Sequence, residues 1–169
     1  IMARAAKYYY EQLKRSETAI AYLKRRGVSG EIAQKFGIGY APDGWQNLAA
    51  AFEDYSASGL QQAGLIIRNE QGRLYDRFRD RVMFPIVNQK GEVIAFGGRV
   101  LGDGEPKYLN SPETPLFEKG REVFGLPQAR AVLREKNVAI VVEGYMDVVA
   151  LAQHGVGNAV ATLGTATTA

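Results

Sequence analysis

The chain has 169 residues, 46% of them apolar, with no cysteine, a single histidine (His154) and a formal net charge of +3. The missing cysteines exclude a disulfide framework and thiolate-bound zinc, and one histidine excludes a histidine-rich metal centre. No apolar run is long enough to span a bilayer and no signal peptide is visible, the profile expected of a soluble, cytoplasmic protein without a membrane partner.

Residues 2–14 carry a helical pattern with Tyr8, Tyr9 and Tyr10 at its centre. Three consecutive tyrosines cannot share one helix face, so at least one must pack inward. Ser16 can cap a second helix running to about Arg26, with Gly27 ending it; Ser29 can cap a third, ending near Gly37. Pro42-Asp43-Gly44 is a turn, and 45–53 and 58–63 read as short helices. The first sixty-odd residues thus form a small helical layer.

The period then changes. Residues 65–68, 74–78, 82–87 and 92–101 read as strands joined by turns at 69–72 and 88–91, an antiparallel meander. Residues 102–121 are rich in Gly, Pro and polar groups, and so long an irregular stretch in a compact domain usually has a function. A helix over 127–136 has Pro127 in its first turn. A strand–helix–strand unit over 138–163 closes the pattern. The fold class is α+β passing into α/β, with helices and antiparallel strands over 1–121 and the beginning of a parallel sheet over 122–169. A lone β-α-β unit leaves an edge and both faces uncovered, so this part is expected to be cut from a larger sheet.

The run Val138-Ala139-Ile140-Val141-Val142-Glu143-Gly144-Tyr145-Met146-Asp147 carries the most chemistry. An apolar strand ends in a carboxylate, and a second carboxylate follows four residues later. The carboxyl edge of a parallel sheet is where ligands bind, and two carboxylates over one crevice suit Mg²⁺ and phosphate chemistry. Taken alone, such a pair more often reads as a helix cap and a solvated first-turn acid; the strand running into Glu143 shifts the balance toward a site.

Cations are concentrated upstream. Residues 1–67 carry 8 Lys and Arg against 6 acids, 68–121 carry 10 against 8, and 122–169 carry 3 against 4. Arg77, Arg79 and Arg81 alternate at period two, with Asp76 and Asp80 on the other face. They form either an exposed face with local ion pairs or a phosphate-tracking stripe. Phe96-Gly97-Gly98-Arg99 sets a cation beside two glycines that mark a bulge or the close approach of a ligand. Residues 106–114 combine Lys107, Tyr108 and Asn110, and Lys119 and Arg121 follow; cations with a stacking ring suit single-stranded nucleic acid. Lys24 and Arg25, with Arg26, end a helix, where cations suit the dipole and can also meet DNA.

Taken together, Arg81-Val82-Met83-Phe84-Pro85-Ile86, Phe96-Gly97-Gly98-Arg99, the string from Pro106 to Thr114, Phe117-Glu118-Lys119-Gly120-Arg121 and Val142-Glu143-Gly144-Tyr145-Met146-Asp147-Val148-Val149 resemble the bacterial DnaG-type DNA primase family. The resemblance runs through essentially the whole chain. It implies the RNA polymerase core of a primase, which makes short RNA primers on single-stranded DNA from ribonucleoside triphosphates with Mg²⁺ or Mn²⁺. It implies a catalytic and metal role for Glu143 and a metal role for Asp147. Arg77, Arg79, Arg99, Lys107, Tyr108, Asn110 and Lys119 match the family's basic cleft, with Lys24, Arg25, Arg81 and Arg121 as further candidates. The family's second acidic motif, its zinc-binding domain and its helicase-binding domain are not found in this sequence, so zinc and the replicative helicase are expected only in missing parts. The chain is therefore expected to be a fragment that cannot synthesise primers alone, with an N-terminal core subdomain at 1–121 and a truncated Toprim subdomain at 122–169. The same cleft could take guanosine tetraphosphate. Another Toprim enzyme, such as a topoisomerase or nuclease, and a non-catalytic nucleic-acid or nucleotide-binding module remain as alternatives.

Overall fold

In the computed structural model, which describes residues 1–164, helix α1 (Met2–Lys14) turns Met2, Ala5, Tyr9 and Leu13 inward. That spacing is the single apolar stripe of an amphipathic helix. Tyr9 is the tyrosine of the triplet that is fully buried. Helix α2 (Glu17–Arg25) starts where Ser16 Oγ accepts from the Ala19 amide at 3.2 Å. Helix α3 (Gly30–Phe36) starts where Ser29 Oγ accepts from Ile32 at 3.3 Å, and it ends at Gly37 in the left-handed region. The helix expected over 45–53 is only a 3₁₀ turn at Asn47–Ala50, followed by α4 (Ser58–Gln62).

Strand β1 (Gly39–Ala41) was not anticipated in the helical layer; three buried residues show no period of their own. It pairs antiparallel with β4 (Arg81–Val87), which pairs with β5 (Val93–Val100), which pairs with β6 (Tyr108–Asn110). The expected meander is therefore divided: β2 (Ile66–Arg68) and β3 (Leu74–Asp76) form a separate hairpin. β6 is an ordered edge strand inside the stretch read as irregular.

The final segment holds β7 (Val123–Phe124), α5 (Leu126–Lys136), β8 (Ile140–Val142), α6 (Tyr145–Gln153) and β9 (Ala159–Thr162). β8 and β9 are parallel, and β7 joins β9 from the other side as an antiparallel strand. β8 starts two residues later than expected, and Val138 and Val141 are exposed.

Successive side chains of a strand point to opposite faces. On β4, Val82, Phe84 and Ile86 enter one apolar cluster while Met83 enters another, so the strand is buried on both faces. The first cluster continues without a break into Phe124, Tyr145, Val148, Val149, Ala161 and Leu163. One core thus spans both sides of residue 121 and fixes the carboxylate segment against the antiparallel sheet.

Candidate functional site

β8 stops at Val142, and Glu143 stands at its carboxyl end. Gly144 then enters α6 in an extended conformation with no side-chain cap, and Asp147 lies in the first turn. An uncapped helix start leaves amides pointing outward and favours negative charge nearby. Glu143 and Asp147 are both exposed and line one crevice of about 700 Å³ with Tyr108, Asn110 and Lys119. The Asp147 carboxylate folds over Gly144, where one oxygen would lie 3.2 Å from an added Cβ. Among the described residues, no three His, Cys, Asp or Glu side chains cluster to hold a metal. Two hard oxygen donors over one crevice do fit Mg²⁺, which is typically held through one or two carboxylates, waters and substrate phosphates.

Tyr145 holds the crevice together. Its ring stacks on Phe84 at 5.3 Å and 9° and meets Phe124 edge-on at 4.9 Å. It occupies the space beside Gly97, where an added Cβ would come within 2.2 Å of the ring. The hydroxyl donates to Asn110 Oδ1 at 2.5 Å, and burial pushes its pKa up. The Gly97-Gly98 pair is therefore neither a bulge nor a ligand gap. The register shift lies at Ile86/Val87, Gly97 makes room for Tyr145, and Gly98 faces Arg81 and Phe78.

The arginine run does not form one stripe. β3 ends at Asp76 and β4 begins at Arg81, and Asp80 between them takes a positive φ of 52° that breaks the alternation. Arg81 is 5% exposed. It donates to the carbonyls of Gly98 at 3.1 Å, Pro106 at 2.7 Å and Lys107 at 3.4 Å, so it pins the approach to β6. Arg77 donates through Nε and Nη2 to the Asn110 carbonyl at 3.2 and 2.6 Å. Burial lowers the pKa of both. Arg79 lies over Trp45 at 4.3 Å and Tyr75 at 5.3 Å. These residues line a second hollow, of about 460 Å³, that also holds acids such as Asp43 and Glu105.

β6 divides the two hollows. Leu109 lines the arginine side, while Tyr108 and Asn110 line the carboxylate side. Arg99 sits between the rings of Tyr22 and Tyr108, 5.6 Å from each, and Arg26 covers Tyr22 at 5.5 Å. Of the cations ending α2, Arg26 thus joins the aromatic cluster, Lys24 lines a separate groove among α1, α2 and α3, and Arg25 is exposed. Lys107 is exposed and lines neither hollow. Arg121 pairs with Glu118 at 3.0 Å in a solvent-exposed geometry worth little energy. One residue goes unmarked by the sequence reading: Trp45, the chain's only tryptophan, 64% exposed. The signal for Trp45 was its position directly after the Pro42-Asp43-Gly44 turn.

Residues 8–130 match the family described as DNA primase catalytic core, N-terminal domain. The chain belongs to this primase family. Residues 137–169 match the Toprim domain. The chain is 59% identical over 164 residues to a DNA primase of Neisseria meningitidis serogroup A, covering 97% of the chain and 28% of that relative. It is 52% identical over 166 residues to the DNA primase of Escherichia coli K12, covering 96% and 29%. The chain thus spans under a third of the length of these relatives. Among solved structures, it superposes on a DnaG primase catalytic domain bound to single-stranded DNA with a TM-score of 0.92 at 50% identity, covering 99% of this chain and 55% of that one. A primase domain from Pseudomonas aeruginosa superposes with a TM-score of 0.90 at 53% identity, covering 99% and 54%. This primase core carries its carboxylates and its main arginine hollow on opposite sides of β6. No helix among the described residues is long and apolar enough to cross a membrane.

Proposed function

We propose that these residues serve the primer-synthesising core of a replicative primase, with the carboxylate crevice as the nucleotide site and the Trp45–Arg79 hollow as part of the template track. The observation that carries this reading is the convergence of Glu143, Asp147 and Lys119 on one crevice at the carboxyl end of β8. Lys119 places a cation where the phosphates of a ribonucleoside triphosphate would enter. Tyr108, backed by Arg99, offers a ring face to a base. Glu143 and Asp147 would hold Mg²⁺ or Mn²⁺, which when bound would activate a primer hydroxyl and shield phosphate charge. Across β6, Trp45 offers an exposed ring and Arg79 a cation stacked on it, the pairing that holds single strands without base preference. A similar catalytic domain is named as bound to single-stranded DNA, which supports a single strand as the ligand of this core. Guanosine tetraphosphate would compete for the nucleotide crevice. A zinc domain and a helicase-binding domain belong to the longer protein, which works in the cytoplasm. Two carboxylates are a sparse set for metal-assisted phosphoryl transfer, so binding rather than synthesis is the activity expected of the 169 residues.

Titrating the chain with a fluorescent oligothymidylate at rising salt tests this. Affinity should fall steeply as counterions compete with the phosphate contacts. Trp45→Ala should cost about 1–3 kcal/mol of oligonucleotide binding, whereas Lys119→Ala should weaken GTP and spare the oligonucleotide. Binding indifferent to salt, or absent at low salt, would sink the template half. Unchanged GTP affinity in Lys119→Ala would sink the nucleotide half.

A further inference from the structure

One amide joins the two hollows. Asn110 Oδ1 accepts from the Tyr145 hydroxyl at 2.5 Å, and Nδ2 donates to the Leu163 carbonyl at 3.2 Å. The Asn110 backbone carbonyl takes two donors from Arg77. Tyr145 follows Glu143 and Gly144 directly, and Leu163 lies on the crevice wall just past β9. Asn110 thus ties both walls of the carboxylate crevice to the edge strand, and Arg77 holds Asn110 from the other hollow.

We propose that Asn110 is a positioning residue that sets the Glu143–Asp147 turn against β6, and that Arg77 acts as its clamp rather than as a phosphate contact. The proposal rests on the reading of the crevice as a metal and nucleotide site. The family resemblance placed both residues in the cleft that handles template and nucleotide. The geometry assigns them differently. Each end of the Asn110 amide is engaged within the protein. Arg77 spends one edge of its guanidinium, Nε and Nη2, on a carbonyl, which takes that fork away from phosphate binding. Arg79, whose charge rests on aromatic faces in the same hollow, is left as the contact for a strand. The Tyr145 ring is already confined by Phe84, Phe124 and Gly97. The hydroxyl bond therefore sets the fine tilt of the turn and does not hold the ring in the core. Groups that orient metal-binding carboxylates in this indirect way affect metal affinity nearly as strongly as ligands do.

Two mild substitutions test the proposal. Tyr145→Phe removes only the hydroxyl, and Arg77→Lys keeps the charge while removing the fork. In both, amide hydrogen exchange over 143–147 should accelerate by roughly two- to tenfold, the worth of one hydrogen bond. Mn²⁺ affinity, followed by electron paramagnetic resonance, should drop by about tenfold. Oligothymidylate affinity should stay unchanged in Tyr145→Phe and nearly so in Arg77→Lys, but fall in Arg79→Ala. Unchanged exchange over 143–147 in both variants would overturn the positioning role. A large loss of oligonucleotide affinity in Arg77→Lys without faster exchange would return Arg77 to the template. If the unaltered chain takes up no Mn²⁺, the metal reading of the crevice fails, and the exchange pattern still decides the role of Asn110.

Discussion

At the scale of single residues, Asp76 shows how a buried charge supports a functional surface. It is 2% exposed, yet it accepts from Tyr55 at 2.6 Å and from the Leu48 amide at 3.2 Å. Its own amide donates to the Trp45 carbonyl at 2.7 Å, so it anchors the segment that presents the exposed indole. Burial raises its pKa above 3.8, with the two hydrogen bonds acting in the opposite direction. A carboxyl whose folded pKa is raised contributes stability that is fully present below the unfolded value and lost as pH rises through the folded value. Relative to Asp76→Asn, which does not titrate, the unaltered chain should therefore lose stability as pH rises from about 3.5 into the neutral range. Urea unfolding at a series of pH values would show it, and a pH-independent difference between the two proteins would contradict it. Asp76→Ala should cost about 1–3 kcal/mol more than Asp76→Asn, because the Leu48 amide and Tyr55 hydroxyl lose their acceptor.

At the scale of elements, legibility depended on length. β4, β5 and the β8–α6–β9 unit could be read because their apolar runs are bounded by turns, and α2 and α3 because Ser16 and Ser29 announce their caps. β1, β6 and β7 have two or three residues each, too few to show a period; pairing with β4, β5 and β9 defines them. The same limit shaped the site. Glu143 and Asp147 were visible as a strand running into a carboxylate. Trp45 was not, because its role depends on Arg79 and Tyr75, neighbours far along the chain. The arginine run was misjudged because period two presupposes a strand, which Asp80 interrupts. Gly97 permits a close approach, as its sequence context implies, but the group that approaches is the Tyr145 ring. A methyl there would meet the Tyr145 ring at 2.2 Å, whereas at Gly98 it would meet Arg81 at 3.0 Å and Phe78 at 3.1 Å. Gly97→Ala should therefore destabilise by about 1–3 kcal/mol and weaken GTP binding in the crevice. Gly98→Ala should cost less, since the Arg81 stem can shift. Equal losses in the two variants would show that the Tyr145 ring is not what makes Gly97 necessary.

At the scale of the molecule, composition changes near residue 121, yet the apolar core does not stop there. Phe124 touches the rings of Phe36, Phe84 and Tyr145, which come from α3, β4 and α6. Phe84 has one of its faces covered by Tyr145, so neither segment can close its core without the other. Two independently folding units would each need a complete core. The described residues instead share one, and cooperative unfolding follows from that sharing. Trp45 fluorescence reports the arginine hollow and far-UV circular dichroism reports all helices, α6 included; the two should give one coincident urea transition. Phe124→Ala should shift both signals together by about 3–5 kcal/mol, the usual cost of removing a buried phenylalanine. If the circular dichroism fell before the Trp45 signal moved, the carboxylate segment would be a separately stable module. The rigid link between the two hollows through Asn110 would then have no scaffold to act through.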